Sequence, residues 1–299
     1  MRPDVSPLAG IDPTLGAIDP ALDALYDTER TASLGVDEYF ARFDRESERL
    51  RFDFAFETLR YGSHERETLE LARAAEGGAP LVVWIHGGYW RRGSRERYAC
   101  CARPALEAGC AVALLGYPLA PEASLDRIVA AVRSGVEAAL AQAERLGADP
   151  QRPILAGHSV GAQLAALTAT RIPARAVVGF AGLYDLEPLL RTNVNATVAI
   201  ERASAERNSP LRHPPLAPGE LLAAVGGLES PAFHEQTARY VAAWRAWGGR
   251  AFSLGAPDAD HFSLVLSLAD RKSVPAQAFR RLCERVAARP QTSAGRRCP

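Results

Sequence analysis

A serine flanked by glycines is the sequence feature with the most defined chemistry. The segment Gly157-His158-Ser159-Val160-Gly161 follows a short apolar run and precedes a helical one. A sharp turn from strand to helix needs small residues two positions before and after the serine, because larger side chains there would collide. We therefore predict a nucleophile elbow in which Ser159 attacks an acyl carbon.

A glycine pair earlier in the chain could bind the oxyanion of such a reaction. His86-Gly87-Gly88 begins 73 residues before the serine (159 minus 86), which leaves room for two βα units of about 30 residues or more. Backbone N–H groups stabilise the oxyanion of a tetrahedral intermediate, and glycines let the main chain approach it closely. We expect the N–H groups of Gly87, Gly88 and Val160 to form an oxyanion hole.

A serine nucleophile needs a base, and His261 is the best placed of the six histidines. It alone follows both the serine motif and the last predicted strand, 251–254. In hydrolases built around such an elbow the chain order is nucleophile, acid, histidine. The other five are expected to be surface or packed imidazoles: His64, His86, His158, His213 and His234.

The acid that orients this histidine is predicted to be Glu229. It lies just past the predicted strand 221–225 and a Gly-Gly turn, from which a carboxylate can reach the imidazole. Asp185, after the preceding strand, is the alternative. Asp258 and Asp260 are near the histidine in sequence, and we expect them to serve the loop.

The elements that must position these residues alternate between strands and helices from residue 80 onward. The strands lack polar alternation, so both of their faces should be covered, as in a parallel sheet between helix layers. The predicted strands are 81–85, 111–115, 154–156, 176–180, 221–225 and 251–254. Ahead of them, the runs 52–59 and 67–72 predict an antiparallel hairpin. Two helices carry start and stop signals, at Ser124 and Gly147 and at Ser230 and Gly248.

Composition is that of one globular α/β domain. The chain has 299 residues, of which 47% are hydrophobic and 23% charged, so it can bury a large core. We predict a single domain over 1–299 with a 1–50 N-terminal extension, a cap-like insertion at 186–218 and a disordered tail at 289–299.

Charge and hydropathy limit the partners. Lys plus Arg and Asp plus Glu both number 35, so no positive field attracts nucleic acid. No run of about 18 apolar residues predicts a membrane span, and the N-terminal residues lack the apolar core of a signal peptide. We expect a cytoplasmic protein with neither nucleic-acid nor membrane partners. A homodimer is one oligomeric state that the sequence leaves open.

Metal and cofactor motifs are missing from the sequence. The segment 234–238 has Ala where H-E-x-x-H needs its second ligand, and the five cysteines contain no C-x-x-C pair. Neither a P-loop nor a G-x-G-x-x-G motif is present. We expect no metal and no cofactor, and we expect the cysteines to be buried free thiols.

The motifs together resemble the α/β-hydrolase type of kynurenine formamidase (arylformamidase). The likeness spans roughly residues 55 to 285. It is carried by His86-Gly-Gly-Tyr-Trp90, Gly157-His-Ser-Val-Gly161, Tyr184-Asp-Leu-Glu-Pro188, Asn208-Ser-Pro210, Glu229-Ser-Pro231 with Phe233, and Asp260-His-Phe262. The resemblance implies an α/β-hydrolase fold and hydrolysis of N-formyl-L-kynurenine to L-kynurenine and formate in tryptophan catabolism.

The resemblance also implies a triad of Ser159, Glu229 and His261 that works without a cofactor. Two positions depart from the family pattern: the acid is Glu where animal members often have Asp, and Val160 stands where Ala is common. The first could move the imidazole, whereas the second still supplies a backbone N–H.

The substrate side of the site is less defined by sequence. Tyr89 and Trp90 follow the glycine pair and could pack on an aryl ring of the substrate, or they could brace the loop. Two other functions remain open. One is a carboxylesterase acting on small aryl or acyl esters; the other is a ligand receptor on a hydrolase scaffold, which the complete set of Ser, acid and His disfavours.

Overall fold

The computed structural model describes residues 17–288, which fold around one eight-stranded sheet. The strands are β1 (Glu57–Arg60), β2 (Thr68–Ala72), β3 (Ala79–Ile85), β4 (Ala111–Leu115), β5 (Ala148–His158), β6 (Ala176–Phe180), β7 (Glu220–Gly226) and β8 (Arg250–Ala256). Their order in the sheet is β1-β2-β4-β3-β5-β6-β7-β8. Pairing is antiparallel from β1 to β2 and from β2 to β4, and parallel between all other neighbours. This confirms the mostly parallel α/β sheet with an antiparallel N-terminal hairpin.

Helices cover both faces of the sheet. They are α1 (Pro20–Tyr26), α2 (Val36–Asp53), α3 (Arg103–Glu107), α4 (Leu125–Ala141), α5 (Val160–Thr168), α6 (Asn195–Val198), α7 (Arg202–Arg207), α8 (Pro231–Ala246), α9 (His261–Leu266) and α10 (Val274–Ala288). Trp84 faces Phe279 of α10, with ring centroids 6.3 Å apart, and Leu115 packs against Gly135 of α4. Trp84 of β3 is paired with Leu114 of β4, so these two side chains point to the same face of the sheet, toward α10. The next residue, Leu115, points to the opposite face, toward α4.

Both layers explain why the central strands carry no polar alternation. Every residue of β4, β6 and β7 is buried, and all of them are apolar or glycine except Glu220. The two edge strands, β1 and β8, instead have exposed, mixed patterns. Cys100, Cys101, Cys110 and Cys283 are free and buried, as expected, whereas Cys298 lies outside the described residues.

Three predicted boundaries are wrong. Residues 52 and 53 end α2 instead of starting a strand, so the hairpin begins at Glu57. Helix α4 starts after its N-cap Ser124, as predicted, but ends at Ala141, because residues 142–147 form turns that lead into the sheet. Strand β5 begins at Ala148, six residues earlier than predicted, with a register shift in its pairing to β3.

Ser230 lies at the N-cap position of α8, but its side chain makes no capping hydrogen bond. Its hydroxyl instead donates to the backbone oxygen of Leu25 at the end of α1. The side chain thus bonds to a residue 205 positions away in the sequence in place of a backbone N–H of its own helix.

The predicted insertion at 186–218 consists of short helical pieces between β6 and β7. It contains α6, α7 and two 3₁₀ turns, Glu187–Arg191 and Pro210–Arg212. Asp126 of α4 anchors it by accepting hydrogen bonds from Arg207 and Asn208. The predicted tail at 289–299 lies outside the described residues. Within 17–288 no helix is both long and apolar enough to cross a bilayer.

Candidate active site

Ser159 occupies a tight turn between β5 and α5. Its φ of 55° and ψ of −121° are strained for a residue with a side chain, and such strain concentrates at functional sites. A Cβ on Gly157 would lie 2.4 Å from the backbone of Gly161, and a Cβ on Gly161 would lie 2.1 Å from the oxygen of Ile85. Both positions therefore require glycine, as the predicted elbow does.

The loop after β3 lies directly against this turn. A Cβ on Gly87 would lie 3.3 Å from Cβ of Ser159 and 2.9 Å from the oxygen of His158. Gly88 has a φ of 114°, which favours glycine, and a Cβ there would meet the oxygen of Arg92 at 2.2 Å. Neither glycine N–H donates to a backbone acceptor in the stretch 17–288, so both can face a developing oxyanion.

His261 and Glu229 are joined by a short hydrogen bond in a buried site. Glu229 follows β7, and His261 is the first residue of α9, after β8. Nδ1 of the imidazole lies 2.7 Å from Oε2 of the carboxylate, while Oε1 accepts the N–H of Gly226 at 2.9 Å. When the Nδ1 proton faces the carboxylate, Nε2 keeps a lone pair that can accept a proton from a serine.

Asp185, the alternative acid, is engaged elsewhere. Its Oδ2 accepts a hydrogen bond from Arg239 at 3.2 Å, and its Oδ1 lies 4.0 Å from the guanidinium of Arg212. The structure thus brings Glu229, and not Asp185, to the imidazole.

Asp260 holds the loop that carries His261. Its carboxylate caps α9 through the N–H of Ser263 and also accepts hydrogen bonds from the Tyr39 hydroxyl (2.5 Å) and the Ser33 N–H (2.8 Å). Burial alone would raise the pKa of this carboxyl, but these donors outweigh it and lower the pKa to about 2. Asp260 therefore serves the loop, as expected, and stays ionised.

Two further histidines are packed inside the site. His158 is buried with its ring centroid 4.5 Å from that of His261, and its Nε2 lies 3.0 Å from the His261 backbone oxygen. Burial and the neighbouring imidazole lower the pKa of His158 well below its usual value. His86 stacks on Tyr117 at 4.2 Å, and burial lowers its pKa to about 3. Both rings are neutral packing groups at pH 7.

The aromatic pair after the glycines braces the loop. The Tyr89 hydroxyl donates to the backbone oxygen of Tyr26 at 2.6 Å, and Trp90 Nε1 donates to the Gln163 side chain at 3.2 Å. Trp90 has no exposed surface in this conformation, which favours the loop-bracing role, and its contact with substrate stays a prediction. Tyr89 is 4% exposed and lines a small cavity.

Sequence reasoning missed the contribution of the N-terminal helices to this site. Two loops receive these contacts: residues 86–90 after β3, called the oxyanion loop for its predicted role, and the loop before α9 that leads to His261. Tyr26 of α1 contacts the first through Tyr89, whereas Ser33 and Tyr39 contact the second through Asp260. No local pattern marks them, because each partner is more than 60 residues away. Among residues 17–288 no group of three or more His, Cys, Asp or Glu could hold a metal ion.

Comparisons with known proteins agree with the observed fold. Residues 82–263 match the model of a family with the α/β hydrolase fold. The kynurenine formamidase of Danio rerio is 31% identical over 227 residues, covering 70% of this chain and 75% of the relative. That of Salmo salar is 31% identical over 228 residues, covering 70% and 76%.

The chain belongs to the kynurenine formamidase-like family of α/β hydrolases. As a member of this family it is a hydrolase. A solved structure of a candidate thioesterase from Silicibacter sp. TM1040 is also similar, with 29% identity, a TM-score of 0.75 and coverage of 86% of this chain and 97% of that one. The matched range 82–263 contains Ser159, Glu229 and His261.

Proposed function

We propose that this hydrolase cleaves N-formyl-L-kynurenine to L-kynurenine and formate through Ser159, His261 and Glu229. The observation that carries the proposal is the 2.7 Å hydrogen bond between Glu229 and His261 in a chain of this family. This bond supplies an oriented base, and the strained elbow supplies the serine nucleophile.

In this mechanism Nε2 of His261 takes the proton of Ser159 as Oγ attacks the formyl carbon. The N–H groups of Gly87, Gly88 and Val160 hold the oxyanion of the tetrahedral intermediate. The C–N bond breaks as the imidazolium gives its proton to the arylamine, which leaves a formyl ester on the serine. Water, activated by the same imidazole, attacks this ester and releases formate.

Glu229 stabilises the imidazolium without taking its proton. The side chain of Glu is longer than the Asp that animal members often have, and it is held by the bond from Gly226 N–H to Oε1. This second contact fixes Oε2 toward the imidazole. Glu229 therefore departs from the family pattern but still has its carboxylate in a defined orientation.

Crowding at the nucleophile supports a small acyl group. Ser159 is only 1% exposed, and a Cβ added at Gly87 would lie only 3.3 Å from its Cβ. Formyl is the smallest acyl group, so it is the one that such a site accepts most easily. Larger acyl groups would need the oxyanion loop to move.

A carboxylesterase acting on small esters is the second candidate. The same triad would serve it, and the esterase LipW of Mycobacterium marinum shares the fold, with a TM-score of 0.66 and 19% identity. Comparing kcat/KM for N-formyl-L-kynurenine and p-nitrophenyl acetate separates the two functions. A higher value for the formamide, lost in Ser159→Ala, supports the proposal; hydrolysis of the ester alone supports the alternative.

The proposal includes the setting of the reaction. The chain would act in tryptophan catabolism or a related secondary-metabolite pathway, in the cytoplasm and without a cofactor. A homodimer also remains a prediction.

A further inference from the structure

A cavity of about 230 Å³ lies between the N-terminal segment, the oxyanion loop and the insertion. Tyr26, Asp27, Tyr89, Arg91 and Asn193 are among its lining residues. We propose that it binds the charged amino-acid end of the substrate, with Arg91 on the α-carboxylate and Asp27 on the α-ammonium group. This inference rests on the proposed function and names the residues that would select an amino-acid substrate.

The loop after β3 connects the cavity to the nucleophile. Tyr89, which lines it, is two residues after Gly87, where an added Cβ would lie 3.3 Å from the Cβ of Ser159. Because consecutive Cα atoms are about 3.8 Å apart, the Tyr89 backbone lies within about 8 Å of Gly87. In the proposed binding mode, a substrate with its formyl group at the serine extends along this loop into the cavity.

A second path of contacts links the cavity to the base. Tyr26 lines the cavity and packs on Phe233, with ring centroids 6.0 Å apart. Phe233 in turn packs edge-on against His261 at 4.9 Å. The rings of Tyr26 and Phe233 thus lie between the cavity and the imidazole, and in the proposed binding mode the aryl ring of the substrate packs beside them.

Some of the charged side chains that line the cavity are occupied by strong hydrogen bonds or ion pairs, and others are not. Asp23 accepts two hydrogen bonds from Asn193, and Arg92 forms a 2.9 Å ion pair with Glu29. Arg91 reaches only the Thr197 hydroxyl, at 3.4 Å, and forms no ion pair with a carboxylate in residues 17–288.

Asp27 is the matching acid. Its Oδ1 accepts the Glu29 N–H at 3.1 Å, and it forms no ion pair in the part of the chain that the structure describes. One cation and one anion thus remain available at the cavity, which is the charge pattern that a zwitterionic α-amino acid complements. A neutral aryl ester or aryl formamide would use neither.

The test pairs each residue with the substrate group that it would bind. Arg91→Gln and Asp27→Asn are assayed with N-formyl-L-kynurenine and with two analogues, in which hydrogen replaces either the α-carboxylate or the α-ammonium group. The first change keeps the backbone N–H that donates to the Gly88 oxygen, and the second keeps a side-chain oxygen for the Glu29 N–H, so the loops stay in place. Arg30→Gln and Glu48→Gln make the same charge changes at exposed positions outside the cavity.

We expect each cavity variant to lower kcat/KM for N-formyl-L-kynurenine about tenfold, mainly through KM. The losses in kcat/KM should depend on the substrate group that each residue binds. Arg91→Gln should lower kcat/KM little for the analogue without the carboxylate, and Asp27→Asn should lower it little for the analogue without the ammonium group. The control variants should match wild type on all three substrates.

Equal losses on the full substrate and the matching analogue would overturn the inference while leaving the proposed function intact. Failure of the wild-type enzyme to hydrolyse N-formyl-L-kynurenine, with p-nitrophenyl acetate still cleaved, would instead overturn the proposed function, and the inference would fall with it. The two failures are therefore distinguishable in one set of assays.

Discussion

Replacing Glu229 by Gln removes the charge beside His261 and keeps the shape of the side chain. One carboxylate oxygen accepts the Gly226 N–H at 2.9 Å, and the other lies 2.7 Å from Nδ1 of the imidazole. The amide oxygen of Gln must stay with the Gly226 N–H, so the amide NH₂ faces Nδ1. The imidazole proton then moves to Nε2, where it prevents proton transfer from Ser159.

The magnitude follows from the burial of this contact. Loss of the equivalent charge in the serine protease prototype lowers kcat about 10⁴-fold. A longer acid could reduce that loss if water replaced the missing charge, but the Glu229 side chain is only 1% exposed. We therefore expect Glu229→Gln to lower kcat for N-formyl-L-kynurenine by about 10³ to 10⁴.

Two further variants calibrate the Glu229 measurement. Glu229→Asp pulls the carboxylate back by one methylene, so it can keep only one of its two contacts, and its kcat should lie between those of wild type and Glu229→Gln. Asp185→Asn removes the charge of a carboxylate that is paired with Arg239. It should lower kcat less than tenfold, because a single partly exposed ion pair contributes little free energy. Melting temperatures show whether each variant folds. A larger loss in Asp185→Asn than in Glu229→Gln would refute the assignment of the acid.

Other predictions concern stability, selectivity and chemistry. Tyr39→Phe removes a hydrogen bond to Asp260 and should lower the free energy of unfolding by about 1 to 2 kcal/mol in urea denaturation at neutral pH. Because the pKa of Asp260 is lowered from 3.8 to about 2, its stabilisation is complete above pH 4 and lost as pH falls toward 2; an unchanged acid transition in Asp260→Asn would contradict this. The N-acetyl analogue of the substrate should have a kcat/KM about 10- to 100-fold lower, since an added methyl overpacks the acyl site by about 1 to 3 kcal/mol, and equal values would favour the esterase. A serine-directed phosphonate should label Ser159 in a mass spectrum and EDTA should leave activity unchanged, whereas recovery by zinc after a loss in EDTA would point to a metal.

Features made by neighbouring residues could be predicted from the sequence. The elbow depends on Gly157 and Gly161. A side chain on Gly157 would collide with the backbone of Gly161 four residues later, and one on Gly161 would collide with the backbone of Ile85 on the neighbouring strand. Gly88 is local in the same sense, since an added Cβ there would meet the oxygen of Arg92 four residues on, and so is the uniformly apolar pattern of the central strands. Their geometry is imposed by steric limits that act on each residue type, so residue type and spacing reveal them.

Features made by distant residues could not be predicted. The Tyr39 hydroxyl bonds to Asp260 across 221 positions, and the Ser230 hydroxyl bonds to α1 rather than capping its own helix. Trp90 donates its indole N–H to Gln163, a partner that no spacing rule selects. These contacts are set by how elements pack after the sheet has formed, and a single sequence carries no periodic signal for them.

The measurement that tests the central claim most directly is the release of formate from N-formyl-L-kynurenine by the wild-type enzyme and by Ser159→Ala. Both proteins are compared at matched concentration, with melting temperatures to show that each is folded. We predict turnover by the wild type and a loss of several orders of magnitude in the variant, at nearly the same melting temperature. No turnover by the wild type, or a variant that keeps a tenth of the wild-type kcat, would contradict the account.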